Sequence, residues 1–306
     1  MKLTILHLTD LHVVSRITYE EKKIENIAEI IDRKANSDNV LLLFSGDISF
    51  SGEKEQFDVA MSFVDKLIEK TNKNVKVAVC PGNHDRTFGE DGRMTNEVIS
   101  EITSDNFCSY YKQYKYLNEN YLSFANHYVG SFYEKKNDIL DKYSFVFGDS
   151  KVVVYSLNNS FFSTYHPENK KEKRMVSILP KDLVHMCRGD EDFSVLLMHM
   201  PLRDMEDRTY KYIKEKCKKH IDIIVDGHTH QEDFSIADSE LIELTSTAMH
   251  AEEVSGFSLV CIDDSMLSAS LYRFDEDDDG KYVIQGNPIK EELRIKEATK
   301  DHFFIG

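Results

Sequence analysis

The stretch Val75-Lys76-Val77-Ala78-Val79-Cys80-Pro81-Gly82-Asn83-His84-Asp85 runs from an apolar, valine-rich segment directly into a cluster of metal-binding and titratable groups. The apolar part reads as a strand buried on both faces. The polar part places an amide, an imidazole and a carboxylate just beyond its carboxyl end. A Gly-Asn-His-Asp tetrapeptide arises by chance in a chain of this length with probability on the order of 0.002, taking each residue as about 1 in 20. The fold follows from asking whether the same arrangement recurs.

It recurs four more times. Apolar runs at 3–8, 40–44, 195–198 and 221–225 precede Asp10-Leu11-His12, Gly46-Asp47, His199 and Gly227-His228-Thr229-His230. Each run is short and rich in Val, Ile and Leu, as expected of a strand buried on both faces. Between the first two runs, residues 19–35 carry Ile24, Ile27, Ile30 and Ile31 at helical spacing, with Thr18 and Glu21 forming a capping box. Between the second and third, residues 54–70 repeat Phe57, Met61, Val64 and Ile68 on one face. Alternating strand and helix implies parallel strands with helical crossovers. Ligands of open α/β sheets collect beyond the carboxyl ends of strands, where all five signatures fall. Separate turns can thus converge on one metal cluster.

Two divalent ions roughly 3.5–4 Å apart can clamp the attacking and leaving oxygens of a displacement at phosphorus. Holding them so close requires a shared anion, for which Asp47 is the candidate. Imidazole and carboxylate together suit mid-row ions such as Mn²⁺, and the absence of thiolates argues against a closed structural zinc site.

The order Asp-x-His, Gly-Asp, Gly-Asn-His-Asp, His, Gly-His-x-His resembles the calcineurin-like metallophosphoesterase superfamily, with every signature position filled from Asp10 to His230. The resemblance implies a two-sheet β-sandwich flanked by helices on both sides. It implies that Asp10, His12, Asp47 and His230 hold one ion, and that Asp47, Asn83, His199 and His228 hold the other. Mn²⁺ is the first expectation for both, with Fe, Zn²⁺ or Ni²⁺ as alternatives. Water between the ions, acidified toward hydroxide, would attack phosphorus. His84 would protonate the leaving oxygen, with Asp85 orienting it.

Within the superfamily, serine/threonine protein phosphatases carry Asp-Arg-Gly after the Gly-Asp and Glu after the Asn-His. This chain has Ile48-Ser49-Phe50-Ser51-Gly52 and Asp85. The stretch 43–52 and the Met198-His199-Met200-Pro201 setting look closer to cyclic-nucleotide phosphodiesterases and DNA-repair nucleases. The expected activity is therefore hydrolysis of a nucleotide or nucleic-acid phosphodiester. The competing readings are a phosphomonoester or protein phosphatase and a non-catalytic metal-binding scaffold.

At 306 residues the chain can bury a substantial core. We expect one metallophosphoesterase domain over 1–290, with a helical insertion or cap at about 100–140 and a terminal segment 291–306 that could link to a further domain. The insertion is aromatic: Phe107, Tyr110, Tyr111, Tyr114, Tyr116, Tyr121, Phe124, Tyr128, Phe132 and Tyr133 recur at spacings of three and four. Such rings either pack helices onto the sheet or stack on a base, and packing is the stronger expectation. Residues 143–147 and 152–157 read as a hairpin around Gly148-Asp149-Ser150. After His230, short strands at 241–245, 257–262, 267–274 and 282–285 are expected to supply a second sheet. Asp275 to Gly280 imitates a calcium loop but reads better as a hairpin turn.

No apolar stretch reaches the length of a membrane span. Five scattered cysteines and an amino terminus that reads as a strand point to reduced thiols in a cytoplasm. The net charge of −16 repels nucleic acid at long range, though bound cations would reverse the sign locally. Lys170, Lys171, Lys173 and Arg174, and the basic residues of 211–219, could meet phosphates, but read better as solvated faces. His7 reads as a packed core residue, and His127, His166, His185, His220 and His302 as surface or structural. His250 follows a strand and could reach the cleft.

Overall fold

A computed structural model describes residues 1–14, 21–88, 96–128, 130, 132–163, 184–230, 233–237, 241–250, 255–264, 266–274, 282–284 and 289–292. Strand β1 (Lys2–Leu8), helix α1 (Glu21–Lys34), β2 (Asn39–Ser45), α2 (Lys54–Lys70) and β3 (Asn74–Cys80) alternate as the hydrophobic pattern requires. The three strands pair in parallel, β1 with β2 and β2 with β3. Thr18 and the basic segment 170–174 lie outside the described residues, as does the acidic stretch 275–280.

The parity of each strand explains why its apolar run is continuous. Leu3 and Ile5 of β1, and Leu41 and Leu43 of β2, enter the interior between two sheets. Leu6, Leu8, Leu42 and Phe44 lie on the other face, against Ile24, Ile27 and Ile31 of α1 and Phe57, Phe63 and Val64 of α2. Successive side chains point to opposite faces, so a strand covered on both sides needs apolar residues at every position.

The second sheet contains β4 (Tyr133–Lys135), β5 (Leu140–Phe147), β6 (Ser150–Leu157), β7 (Phe193–Met198), β8 (Ile223–Asp226), β9 (Asp233–Ala237) and β10 (Leu241–Thr245). Its order is β4-β5-β6-β7-β8-β10-β9, and β6, β7, β8 and β10 run parallel. The hairpin expected around Gly148 is β5–β6, paired from Leu140↔Leu157 to Phe147↔Ser150. Val152, Val154, Val195 and Leu197 face the first sheet. Val153, Leu196 and Met198 face the opposite way, toward Ile213 and Cys217 of α6 (Asp207–His220). The result is the expected four layers: helix, sheet, sheet, helix.

One expectation is corrected. The strands after His230 do not form a second sheet of their own. β10 joins the sheet of β7 and β8, pairing Thr245 with Asp226, whereas β11 (Gly256–Asp263) crosses to the first sheet and runs antiparallel to β1. β12 (Met266–Phe274), β13 (Tyr282–Ile284) and β14 (Ile289–Glu292) extend that sheet outward. The local pattern marks a strand but not its partner: Val260 and Ile262 fill the sandwich interior while Phe257 and Leu259 pack on the helical side, as any two-faced strand would.

The aromatic insertion forms α3 (Asn96–Glu101), α4 (Phe107–Tyr114), a 3₁₀ turn (Lys115–Asn118) and α5 (Glu119–Tyr128). Most of its rings serve packing, while Tyr116 is exposed. Phe107 and Tyr111 join the outer layer of the second sheet, and Tyr121 and Phe124 that of the first. Two polar contacts also brace loops at the sheet ends. The Thr87 amide donates to Leu117 O (2.9 Å), and Asn120 Nδ2 donates to Gly52 O (2.8 Å).

Candidate metal centre

Asp10, His12, Asp47, Asn83, His84, His199, His228 and His230 meet at the carboxyl ends of β1, β2, β3, β7 and β8, although they span 220 positions of sequence (230 − 10). Three overlapping groups of ligand atoms lie within 4.8 Å of one another: Asp10–His12–His230, His12–Asp47–His84 and Asp47–His199–His228. Asp47 is central. Its Oδ2 lies 3.3 Å from His199 Nε2 and 3.9 Å from the Nε2 atoms of both His12 and His84, while Oδ1 accepts the His84 amide at 2.8 Å. Asn83 Oδ1 stands 2.9 Å from His199 Nε2.

The local backbone is unusual. Asp10, His12, Asp47, His228 and His230 all have φ between 44° and 69°, and among the described residues only Asp264 is another non-glycine with positive φ. Each such conformation costs on the order of 1–3 kcal/mol, so strained backbone is concentrated at this one site. Close approach adds a second demand: a Cβ on Gly82 would overlap the Asp47 carboxylate and amide, so only glycine lets the β2 and β3 loops meet.

The side chains of the cluster are fixed from behind. His199 Nδ1 donates to Ser45 O (2.8 Å), which leaves Nε2 directed at Asp47 and Asn83. Asp10 Oδ2 accepts from Thr9 Oγ1 (2.6 Å) and the His228 amide (3.1 Å). Backbone bonds Asp10 N to Gly46 O, His12 N to Asp47 O and Gly227 N to His199 O lash the loops together. Asn159 Oδ1 accepts the His199 and Met200 amides. Outer partners of this kind set ring orientation and ligand basicity. Thr9, Ser45 and Asn159 are absent from the sequence reading. Asn159 alone had a visible signal, since Asn158-Asn159-Ser160 is a polar run past the end of β6.

The electrostatics suit cations. Burial holds His12 and His228 down at about 4, so both offer unprotonated nitrogen at neutral pH. Burial works the same way on His199, but Asp47, Asp10 and the Ser45 carbonyl overcome it and lift the ring to about 10. The two carboxylates thus favour positive charge at that position. Burial opposes ionisation of Asp10 and Asp47, yet the surrounding imidazoles hold both well below the usual carboxylate range. Asp10 Oδ1 is buried without a well-formed hydrogen bond, with His230 Nε2 3.3 Å and His12 Nε2 3.7 Å away. His12 Nε2 and His230 Nε2 themselves approach to 3.1 Å. Imidazole nitrogens converging on one point, beside an unspent carboxylate oxygen, fit a divalent cation bound by nitrogen and oxygen.

The expected role of Asp85 is corrected. His84 Nδ1 lies 2.8 Å from Phe50 O, and that carbonyl orients the ring. The Asp85 carboxylate accepts instead from the Ser49 amide (2.8 Å), Ser49 Oγ (3.0 Å) and the Gly82 amide (2.8 Å). A side chain one residue from His84 cannot easily reach its ring, but it can pin the loop carrying Phe50. Burial, with Asp47 nearby, pushes Asp85 up to about 6 against these bonds.

His7, His127, His185 and His220 follow their expected readings as packed, structural or surface residues, and His166 and His302 lie outside the described residues. His7 is buried with Nε2 2.7 Å from Ser45 Oγ, and His220 Nδ1 accepts the Arg188 amide. His250 is exposed, and its amide donates to Asp10 O at 3.1 Å. All five cysteines are free, and no helix among the described residues is long and apolar enough to cross a membrane.

A four-layer sandwich with this candidate ligand set fits the metallophosphoesterase fold. A family model described as calcineurin-like phosphoesterase matches residues 3–232, and the chain belongs to that family. Among solved structures, a 5′-nucleotidase from Candida albicans is similar at 14% identity and a TM-score of 0.50, over 90% of this chain and 52% of that one, so this chain spans about half its length. A dimetal phosphatase from Danio rerio is similar at 11% identity and a TM-score of 0.48, over 92% and 98%. Vacuolar protein sorting 29 from Cryptosporidium parvum is similar at 14% identity and a TM-score of 0.42, over 95% and 98%. The comparison with curated proteins returns no match.

Proposed function

We propose that this chain hydrolyses phosphodiester bonds of a nucleotide or nucleic acid, using two divalent cations, Mn²⁺ first among them. Asp10, His12, Asp47 and His230 would hold one cation, and Asp47, Asn83, His199 and His228 the other. When bound, such a pair supplies Lewis acidity and lowers the pKa of water toward neutrality. Asp47 keeps the two sites adjacent, since its Oδ2 is within 3.9 Å of ring nitrogens from both ligand groups.

The observation that carries the reading is His84. It is 6% exposed, its ring centre is 4.5 Å from that of His12, and its Nε2 faces Asp47 while Nδ1 is committed to Phe50 O. An imidazole held this way, at the edge of the ligand set, can deliver the Nε2 proton to a departing oxygen. Asp85 supports it at one remove, through the Ser49–Phe50 backbone.

A diester is favoured over a monoester dianion by the segment after Asp47. Ile48 and Ser49 are buried and Phe50 flanks His84, so this segment offers no cation to a second negative charge.

A substrate panel with added Mn²⁺ tests the reading: bis-p-nitrophenyl phosphate, cyclic nucleotides, single- and double-stranded DNA, RNA and a phosphopeptide. Hydrolysis of diesters is expected. Cleavage of the phosphopeptide alone would make this a monoesterase. No turnover, with both cations demonstrably bound, would assign a binding scaffold instead.

A further inference from the structure

Phe107, Tyr111, Tyr121 and Phe124 of the insertion are used in packing, but two other aromatic residues stand at the cluster itself. Phe50 and Phe88 are both half-buried. Their ring centres lie 5.5 and 6.0 Å from that of His84, at interplanar angles of 52° and 79°. Phe50 also meets His12 edge-on at 6.4 Å.

Both rings sit on braced loops. Gly52, at φ +70°, lets the β2 loop press onto the backbone of Arg86, where a Cβ would overlap the Arg86 carbonyl. Thr87 Oγ1 and Asn120 Nδ2 both donate to Gly52 O. The buried Arg86 places its guanidinium 5.9 Å from the Phe88 ring centre, which fixes that ring further. These contacts tie together the two loops that carry the rings.

We infer that Phe50 and Phe88 form an aromatic platform for the leaving group, and that the leaving group is a nucleoside. The inference rests on the role of His84 proposed above. A proton donor must lie within hydrogen-bond reach of the oxygen it protonates, so the group carrying that oxygen sits against the side chains beside His84. Here those side chains are aromatic and half-buried. A flat base can stack on them, whereas a methyl or phosphoserine peptide leaving group gains nothing from a ring face.

The test separates this inference from the hydrolase reading. Ligand-observed NMR would measure binding of adenosine and of ribose to metal-free wild-type protein and to Phe50→Leu and Phe88→Leu, where leucine keeps apolar bulk and removes the π face. Adenosine should bind wild-type protein, ribose should not, and each variant should bind adenosine about 5- to 150-fold more weakly. Equal adenosine binding by wild-type and both variants, or none by wild-type at millimolar concentration, overturns the platform. This readout needs neither cation nor turnover. With Mn²⁺, the preference in kcat/KM for thymidylyl-thymidine over the methyl ester of thymidine monophosphate should fall by a similar factor in the variants. An unchanged preference overturns the inference while leaving the hydrolase intact. Failure to hydrolyse any ester removes the enzyme, and adenosine binding still decides the platform.

Discussion

Acidification should destabilise this protein through His7, a histidine outside the candidate ligand set. His7 is 1% exposed, its Nε2 is bonded to Ser45 Oγ, and its Nδ1 is buried without a partner. Burial drives the folded pKa down to about 3, against the attraction of Asp10, whereas the unfolded chain keeps about 6.5. Between those values the unfolded state binds more protons than the folded one, so stability rises with pH. The contribution is fully present above about 6.5 and is lost as pH falls toward 3. At pH 5 the unfolded histidine is almost fully protonated and the folded one is not, a difference worth about 2 kcal/mol relative to pH 7.5. That is a large part of the roughly 5–15 kcal/mol that holds a domain together. The assay is urea unfolding in excess chelator at pH 7.5, 6 and 5, on wild-type protein and His7→Gln. Glutamine can still hydrogen-bond Ser45 but does not titrate. His12 and His228 add acid sensitivity of the same sign to both proteins, so the difference between them isolates His7. His7→Gln should lose about 2 kcal/mol less between pH 7.5 and 5. Equal acid sensitivity of the two proteins would refute the reasoning.

Three further outcomes are expected. His84→Ala should keep both cations and lose roughly 10²–10⁴ in rate on a nucleoside ester, with a much smaller loss on a p-nitrophenyl ester whose leaving group needs no proton; equal losses on both would remove His84 as the acid. Asp47→Asn should abolish paired cation occupancy by elemental analysis, and two fully occupied sites per chain would refute its bridging role. Arg188→Met should cost about 3 kcal/mol in urea unfolding, because it strands the Asp222 carboxylate, 1% exposed and 2.7 Å from the guanidinium, with Ser194 donors still in place. Adding Asp222→Leu should recover most of that loss; a double variant no more stable than Arg188→Met would show that the pair is not the source.

The cluster's membership was legible because metal-ligand chemistry uses few residue types, and each stood just past an apolar run. The parallel half of the first sheet was legible for a similar reason: continuous valine and leucine runs joined by amphipathic helices admit few arrangements. The destination of β11 was not legible. Whether it paired with β10 or β1 depends on which strand edge lay open, a property of the assembled sandwich. The aromatic insertion was ambiguous at the level of composition, and only burial of Phe107, Tyr111, Tyr121 and Phe124 decided for packing.

The orientation of His84 shows the same division. Its neighbour Asp85 was the natural partner by adjacency, yet the ring is held by Phe50, 34 positions earlier. Chain order established which chemical groups were available, and that their strands end together. Partner choice among backbone carbonyls, the left-handed backbone at five ligands and the two rings beside His84 came only with tertiary structure. The physical reason is range: strand and helix periodicity is enforced by neighbours in sequence, whereas a hydrogen bond or a ring contact is enforced by whatever the fold brings within a few ångströms.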